Sequence, residues 1–531
     1  MDPMLGKNLI QRVAVGDILR RSARRRPQKE ALVEYRSGQR NSLTYYQLND
    51  ACNRFARAVR GLGLQKGDRV AAVCLNSTEL VVSIYGLAKG GFVWVPVNPG
   101  LDPRELAYVL NHSEAKALVL DDAFVPVFSK YLDQLSNIKH FISLPVTGQQ
   151  VTEPFINFNA FIDGMDGTEI EDVIIEDRDI VQIMYTSGTT AMPKGVLISN
   201  LNVYIAALQN TIELRIDPSS IISVMMPIFH CAQHTLLNTG LLACSTVVVM
   251  RGFDPEGLMK TIQAEKINWL FALPMMFRSM IDHPAFHNYD LSSLQVCLYA
   301  MTPMDKRTLA EARKRLNATF ILGTGQTEAY PATNYYKPDW YPEKEGNIWG
   351  MSSPGYDTAV MDDDGNILPP GQVGEIVWRS PGIMEGYFKD EAATEQARKF
   401  GWHHSGDQGY IDEDGMLVFV DRKKDMIKTG GENVPSIKVE TVILAHPEVE
   451  SAAVIGLPHQ RWAEAVTAVV VPKKGSNLTG EEIINWCKRE LGGFQVPKSV
   501  ILVDELPRTT TGKIKKHELR KQFEQYYNNQ L

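Results

Sequence analysis

Short β-branched runs alternate with longer helical patterns along most of the chain. Residues 69–75 precede a helical pattern at 79–88, and residues 269–272 precede another at 274–281. Strands that are separated by helices in this way predict parallel sheets with both faces covered by helices. We therefore expect the main body of the chain to have an α/β fold.

The pattern changes past about residue 355, where closely spaced turns between short apolar runs indicate an antiparallel portion. A charged stretch follows at 422–425, and then a new pattern of helix, two strands and helix begins. We predict a large N-terminal domain, residues 1–421, with parallel or mixed sheets sandwiched by helices plus a small antiparallel barrel-like portion. Residues 422–531 are predicted to form a small mobile α+β domain.

Length and composition agree with a soluble globular protein of more than one domain. The chain has 531 residues, and a single hydrophobic core stops growing at roughly 250–300 residues. A net charge of −7 argues against a broad surface for nucleic acid. The six cysteines occur singly, which argues against a disulfide framework or a zinc site. Since neither a secretory signal nor a membrane span is recognisable, we expect a cytoplasmic protein.

The segment 185–196 holds the densest cluster of residues suited to one chemistry. It combines hydroxyl groups, a glycine and a cation, which together can surround an oligophosphate in a nest-like loop. These groups are Thr186, Ser187, Gly188, Thr189, Thr190 and Lys194. The segment is not a Walker A loop, because Lys194 is followed by a glycine and not preceded by one. We therefore predict a polyphosphate site.

Several motifs, in their order along the chain, resemble the adenylate-forming superfamily of acyl-CoA ligases, nonribosomal-peptide adenylation domains and firefly-type luciferases. Besides the phosphate segment they are 43–48 (LTYYQL), 67–70 (GDRV), 89–96 (KGGFVWVP), 227–230 (PIFH), 325–328 (GQTE), 405–407 (SGD), 421–422 (DR) and 507–513 (PRTTTGK). The resemblance covers essentially the whole chain. It implies the two-domain fold and the reaction class of that superfamily.

The resemblance implies an ATP site on the large domain. Glu328 would hold Mg²⁺, Asp407 would bind the ribose hydroxyls, and Arg422 would be a second ribose contact. A carboxylate suits both tasks, since it binds hard cations and accepts from two donors. The resemblance also assigns to this site Thr302, Thr324, Gln326 and Thr327. Thr324 stands where the family usually has an adenine-stacking aromatic residue, so Tyr299 and Tyr330 are alternative stacking candidates.

On the small domain the resemblance assigns three roles. Lys513 would reach the acyl carboxylate and the α-phosphate, because a cation between two approaching anions lowers the barrier. Lys424 matches the hinge position, and Gly430, Gly431 and Glu432 would face CoA. The neighbouring Lys515 and Lys516 are interpreted as a solvated basic tail. The expected catalytic residues are thus Lys513, Glu328, His230 and Thr186.

The acyl pocket is predicted from His230, Gln233, Met301, Thr302 and Gly323. His230 and its neighbour offer no negative charge for an α-ammonium group, which argues against an amino-acid substrate. Side chains larger than those of fatty-acyl and aryl relatives should narrow the tunnel, so short or medium, and also polar, acids are expected. Similar bulk occurs in crotonobetaine/carnitine-CoA ligase-like members, which also resemble this chain at 430–434.

The resemblance therefore implies an ATP-dependent acyl-CoA ligase that forms acyl-AMP and pyrophosphate and then transfers the acyl group to CoA. ATP, Mg²⁺, CoA and a small carboxylic acid are the expected ligands, with no nucleic acid, no membrane span and at most a second copy of the chain, as a homodimer. Two alternatives stay open. One is an acyl-AMP ligase that loads a carrier-protein phosphopantetheine, and the other is a catalytically silent protein of the same fold.

Overall fold

The computed structural model of the chain describes residues 2–186, 192–300, 304, 306–341, 344, 346–508 and 513–527. The helices are α1 Pro3–Gln11, α2 Gly16–Arg25, α3 Tyr45–Gly61, α4 Thr78–Gly90, α5 Pro103–His112, α6 Val125–Phe128, α7 Phe158–Ile162, α8 Asn200–Glu213, α9 Cys231–Leu242, α10 Pro255–Glu265, α11 Pro274–Ile281, α12 Lys306–Leu316, α13 Glu391–Gln396, α14 Ser436–Leu444, α15 Gly480–Cys487 and α16 Lys516–Gln522.

The strands are β1 Glu30–Arg36, β2 Gln39–Thr44, β3 Arg69–Val73, β4 Val93–Val97, β5 Ala117–Asp121, β6 His140–Leu144, β7 Phe155–Asn157, β8 Ile180–Thr186, β9 Lys194–Ser199, β10 Ile221–Val224, β11 Thr246–Val249, β12 Trp269–Phe271, β13 Val296–Tyr299, β14 Thr319–Gln326, β15 Ala329–Tyr336, β16 Ile348–Ser352, β17 Asp357–Met361, β18 Gly374–Arg379, β19 Gly386–Tyr387, β20 His403–Ile411, β21 Leu417–Arg422, β22 Ile427–Thr429, β23 Glu432–Val434, β24 Val449–His459, β25 Ala463–Pro472 and β26 Ser499–Leu502.

Two sheets form the body of the molecule. One has eight strands in the order β19-β9-β8-β4-β3-β5-β6-β7, and its strands β4, β3, β5, β6 and β7 run parallel. The other has thirteen strands in the order β17-β18-β20-β21-β16-β15-β14-β13-β12-β10-β11-β1-β2. Helices between parallel strands bury the apolar faces of both sheets. The predicted α/β body is confirmed.

Local sequence explains where the helices between the sheets begin and end. Helix α4 starts after Ser77, whose side chain accepts a hydrogen bond from the backbone N of Leu80. The same helix ends at Gly91, which adopts φ 74° in the left-handed region that glycine enters without steric cost. Helices α4 and α9 then contribute to one large apolar core, which includes Tyr85 and Leu237. This core joins the two sheets.

The antiparallel portion continues the larger sheet. From β14 onward the neighbouring strands pair antiparallel, as in Leu322 opposite Tyr336 and Asp407 opposite Arg422. A small core around Trp378 fills the space beneath these strands. The expected change from parallel to antiparallel pairing is therefore confirmed, and it begins at β15, earlier than residue 355.

The last part of the chain has a sheet of its own, in the order β23-β22-β25-β24, with β26 paired to β25. Helix α15 ends at Cys487, where the chain turns and brings Leu491 into the same core. Strand β24 pairs with β25 from Val449 to His459. Within the described ranges, no helix is both long and apolar enough to cross a membrane.

Candidate active site

The predicted phosphate segment lies at the end of a hairpin in the eight-stranded sheet. Strands β8 and β9 form this hairpin, and Thr186 pairs with Lys194 across it. Both residues therefore flank the segment and hold its two ends together. The predicted ligands Ser187, Gly188, Thr189 and Thr190 lie outside the described residues.

Lys194 is linked to Glu328 through a tyrosine that the sequence did not reveal. The Lys194 ammonium lies 4.9 Å from the centre of the Tyr387 ring and 3.9 Å from Oδ2 of Asp390. The Tyr387 hydroxyl donates to Oε1 of Glu328 at 3.0 Å. The carboxylate of Glu328 raises the pKa of Tyr387 further, after burial, which is the larger cause. Tyr387 thus places the phosphate-segment cation and the predicted metal ligand on one wall of the site.

The turn between β14 and β15 carries the GQTE motif. Gln326 is fixed by a 2.8 Å hydrogen bond between its Nε2 and Nε2 of His403. Thr324 makes a longer contact, 3.5 Å, from its hydroxyl to the carbonyl oxygen of Asn334. Because this turn follows the carboxyl end of a parallel strand, it lies at the edge where α/β folds commonly bind ligands.

Asp407 and Arg422 face each other from adjacent antiparallel strands. They are register partners on β20 and β21, with Nε of Arg422 at 3.9 Å from Oδ1 of Asp407. Burial raises the pKa of Asp407 to about 6, although the cations of Arg422, Lys513 and Lys424 oppose this shift. Asp407 is therefore a carboxylate that titrates close to neutral pH.

The Lys513 ammonium reaches this site from the C-terminal part of the chain. The residue is exposed by its surface area, yet desolvation of its ammonium lowers the pKa of this group. Repulsion from Arg422 lowers that pKa further, while Asp407 and Glu328 raise it. Four of the predicted residues are thus brought within electrostatic reach of one another.

His230 and Cys231 lie beside Lys513 and the GQTE turn. His230 precedes α9, and its Nδ1 accepts a hydrogen bond from the backbone N of Ala232. Burial, followed by repulsion from Lys513, lowers the pKa of His230 to about 4. The Cys231 thiol contacts the Thr327 hydroxyl at 3.5 Å. A neutral histidine and a thiol therefore line the cleft beside Lys513 and the GQTE turn.

The predicted acyl pocket is described in part. Gly323 lies against Leu298 and Tyr335, and a Cβ atom placed on it would be 3.2 Å from Cε1 of Tyr335. Met226 and Ala232 pack beside the same apolar cluster. An apolar cluster therefore lies next to the segment that carries His230. Met301 and Thr302, also predicted for this pocket, lie outside the described residues.

Gln233 has a structural contact that the sequence did not predict. Its side chain is fully buried, and its Oε1 accepts a hydrogen bond from the backbone N of Met226 at 3.1 Å. At 100° per residue it lies about 200° around α9 from Cys231, on the side away from Thr327. It holds the start of the PIFH segment, and its role in the acyl tunnel stays a prediction.

The two alternative adenine-stacking residues are unsuitable in this structure. Tyr330 is fully buried and its hydroxyl bonds to Nδ1 of His234 at 2.6 Å. Tyr299 is 3% exposed and packs near Phe320. Neither ring offers an open face to a nucleotide, so the suggested substitution for Thr324 is wrong for both.

The predicted CoA-facing residues form the tip of the hairpin between β22 and β23. Gly430 and Gly431 have φ values of 60° and 89°, as the two central residues of a tight hairpin require. Glu432 begins the return strand and is exposed. The backbone N of Gly430 donates to the carbonyl oxygen of Trp462, and the ammonium of Lys498 lies 5.4 Å from that indole ring.

The expectation of a solvated tail is wrong for Lys516. Its Nζ pairs with Oε1 of Glu440 at 2.7 Å, and its side chain is only 13% exposed. Lys515 is more exposed and pairs with Glu518 on the same helix turn. Tyr387 and Trp462 were missed, because each contacts a site residue that is distant in sequence.

Two family models match the chain. The model for AMP-binding enzymes matches residues 19–388, and that for the AMP-binding enzyme C-terminal domain matches residues 438–513. A feruloyl-CoA synthase of an Amycolatopsis species is 33% identical over 488 residues, covering 91% of this chain and 94% of the relative. The chain belongs to the AMP-binding enzyme family.

Solved structures of similar proteins agree. A crystal structure of the anthranilate CoA ligase AuaEII in complex with anthranoyl-AMP superposes with a TM-score of 0.87 at 25% identity, covering 97% of this chain and 98% of that one. MatB from Rhodopseudomonas palustris gives 0.86 in its ATP-bound form, at 25% identity with coverage of 96% and 99%. Its apo form gives 0.74, at 26% identity with coverage of 97% and 100%. The chain is an AMP-forming acid–thiol ligase that uses ATP and CoA.

Proposed function

We propose that this cleft carries out both half-reactions of the ligase. In the first, a carboxylate oxygen of the acid attacks the α-phosphorus of ATP, and the bond from that phosphorus to pyrophosphate breaks. In the second, the CoA sulfur attacks the acyl carbon, its proton is lost, and the bond to AMP breaks. The proposal rests chiefly on Lys513, whose ammonium lies within electrostatic reach of Asp407, Glu328 and Arg422.

We assign nucleotide binding to residues of four segments. Thr186 and Lys194, with the rest of the phosphate segment, would bind the β- and γ-phosphates. Asp407 would accept hydrogen bonds from both ribose hydroxyls, with Arg422 beside it. Thr327 would donate to the α-phosphate, because its hydroxyl lies in the turn between β14 and β15, next to Cys231. Gln326 and Thr324 would shape the floor beneath the nucleotide.

Glu328 fits the role of a magnesium ligand. Mg²⁺ is usually bound by one or two carboxylates together with substrate phosphates and water. One oxygen of Glu328 accepts from Tyr387, which fixes the carboxylate beside Lys194. When bound, the ion would neutralise charge on the departing pyrophosphate.

Lys513 would stabilise the first transition state. Two anions approach each other there, and a cation placed between them acts electrostatically in a site partly shielded from water. Burial lowers the pKa of Lys513, whereas the negative charges of Asp407 and Glu328 raise it and so favour the charged ammonium. His230 stays neutral and would line the path of the carboxylate without adding a competing charge.

A rotation of the small domain would separate the two half-reactions. We propose that residues 1–421 and 422–531 are the two domains and that Lys424 is the pivot. The better superposition on the ATP-bound than on the apo form of MatB supports this, because it indicates that one protein adopts different arrangements. Rotation would withdraw Lys513 and bring Gly430, Gly431 and Glu432 to the cleft.

We propose that the acid is short or medium in length.

We also propose that the enzyme works in the cytoplasm. The six cysteines are all buried and unpaired, which suits a reducing compartment. A homodimer stays a prediction, which light scattering of the purified protein would test.

The acyl pocket gives a testable prediction at Gly323. Gly323→Ala should shift the preferred straight-chain acid to a shorter length, because its Cβ would lie 3.2 Å from Tyr335 and 3.4 Å from Leu298. Each excluded methylene is worth about 1 kcal/mol of discrimination, so the change should be graded. The measurement is pyrophosphate exchange across acids of increasing length. Gly61→Ala, where the added Cβ meets open space, is the matched control; an unchanged profile in Gly323→Ala would refute the pocket assignment.

The titration of Asp407 predicts a pH dependence. Its pKa is raised to about 6, so below that pH the group becomes neutral and loses acceptor capacity toward the ribose. Catalytic efficiency for ATP should therefore fall as pH drops through about 6, mainly through KM. Asp407→Asn should be weaker at neutral pH and should lack this dependence. If catalytic efficiency falls at low pH in Asp407→Asn just as it does in wild type, another group is responsible for the pH dependence.

The function itself is tested by pyrophosphate exchange over short, branched, aromatic and long acids, followed by product analysis with CoA. We expect exchange with a subset of acids in the absence of CoA, and one AMP per acyl-CoA in its presence. Exchange without thioester formation from CoA, but with transfer to a phosphopantetheinylated carrier protein, would establish the other acceptor.

A further inference from the structure

Four polar side chains form a connected chain of contacts across the joint between the two parts of the molecule. Oδ2 of Asp421 accepts hydrogen bonds from the backbone N and from Oγ of Ser436, the latter at 2.7 Å. The ammonium of Lys516 donates to the same Oγ at 2.7 Å and pairs with Glu440 at 2.7 Å. Asp421 and Ser436 are 1% and 0% exposed. Contacts shielded from water in this way are strong and specific in geometry.

These residues come from three elements that meet at the joint. Asp421 belongs to β21 of the larger sheet, Ser436 and Glu440 belong to α14, and Lys516 is the first residue of α16. Helix α16 begins three residues after Lys513. The position of the catalytic lysine is therefore tied to the larger sheet through Lys516 and Ser436.

A second contact from the same helix reaches the joint itself. Arg520, one turn after Lys516, pairs with Asp425 at 2.6 Å. Asp425 directly follows the proposed pivot and is 7% exposed. One face of α16 is thus attached on both sides of Lys424, through Asp425 directly and through Ser436 to Asp421.

We infer that Asp421, Ser436, Lys516 and Glu440 form an interdomain clamp, which holds the small domain in the arrangement that places Lys513 in the cleft. The inference rests on the proposed rotation about Lys424. Asp421 lies three residues before that pivot and Ser436 twelve residues after it, so a large rotation must break the bonds between them, which require donor and acceptor to stay within about 3.2 Å. The Lys516–Glu440 pair lies within the small domain and moves with it.

The clamp biases the equilibrium between the two arrangements. Its bonds between Asp421 and Ser436 exist in one arrangement only, and an interaction made in one state shifts the population toward that state. Lys516 strengthens the bias, because its charge orients the Ser436 hydroxyl toward Asp421. Weakening the clamp should therefore lower the adenylation half-reaction and spare the thioester half-reaction. These are positioning residues, since none of them contacts the reacting atoms.

The test measures both half-reactions in Lys516→Met, Ser436→Ala and the double variant Lys516→Met/Glu440→Gln. Lys515→Met, at the adjacent half-buried lysine, is the matched control. Pyrophosphate exchange should fall about tenfold in the variants that lack Lys516, while thioester formation from supplied acyl-AMP and CoA should be unchanged or faster. The double variant avoids an unpaired buried carboxylate, so it should recover thermal stability without recovering exchange. Lys515→Met should leave both rates within about twofold.

The ratio of the two rates decides between the interpretations. If both half-reactions fall in proportion, or if the double variant recovers exchange together with stability, the residues serve only the fold and the clamp is refuted. The proposed rotation is tested separately. Lys424→Pro should impair thioester formation and retain pyrophosphate exchange. Equal loss of both half-reactions in this variant would refute Lys424 as the pivot, whatever the clamp variants show.

Discussion

Lys513→Ala is expected to lower acid-dependent pyrophosphate exchange by roughly 10²–10³-fold, the effect of removing one preorganised electrostatic group. The physical reason is that its ammonium lies within electrostatic reach of Asp407, Glu328 and Arg422, where two anions must approach each other. Thioester formation from supplied acyl-AMP and CoA should be retained, because Lys513 is proposed to leave the cleft before that step.

Lys515→Ala provides the control for this prediction. It removes a lysine two residues away whose ammonium pairs with Glu518, and both half-reactions should stay near wild-type rates. Melting curves of both variants separate chemistry from folding. Equal loss of the two half-reactions in a folded Lys513→Ala protein would mean that this lysine is not specific to adenylation.

Gly431→Leu is expected to have the inverse effect. Pyrophosphate exchange should be retained, while thioester formation from acyl-AMP should fall by roughly 10²-fold, the scale of misplacing a reacting group by about 1 Å. Gly431 has φ 89° at the tip of the β22–β23 hairpin, and a branched side chain there both strains the turn and enters the proposed thiol path. Both half-reactions are measured on the same preparation.

Gly431→Asn distinguishes backbone strain from steric blockage. Asparagine tolerates the left-handed region better than leucine does, so this variant should keep the hairpin and lose less activity. Since a Cβ on Gly431 meets open space in this structure, the adenylation arrangement should accept either side chain. Loss of exchange in Gly431→Asn would show that the hairpin serves the first half-reaction as well.

The sequence predicted the parts of this molecule that depend on neighbouring residues. Alternating strands and helices indicated the α/β body. The roles of the GQTE motif and the phosphate segment stay predictions, which could be made because their chemistry is concentrated in short windows. The hairpin at 430–431 was not predicted, although two successive glycines suit a turn with two positive φ values.

Contacts between distant segments could not be predicted in the same way. Tyr387 bonds to Glu328 across 59 positions and Lys516 to Ser436 across 80, and no local pattern signals either pair. Lys516 was interpreted as solvated because a lysine-rich stretch usually is, whereas folding places it against a buried carboxylate. Tyr330 looked available beside the GQTE motif, but its strand turns the ring into the core.

The central claim is that one cleft is used twice, with opposite faces of the small domain presented in turn. The most direct test is to measure both half-reactions side by side in wild type, Lys513→Ala and Gly431→Leu. We expect Lys513→Ala to lose pyrophosphate exchange and keep thioester formation, and Gly431→Leu to do the reverse. If both variants lose the same half-reaction, with folding intact by thermal melting, the rotation mechanism is contradicted for this protein.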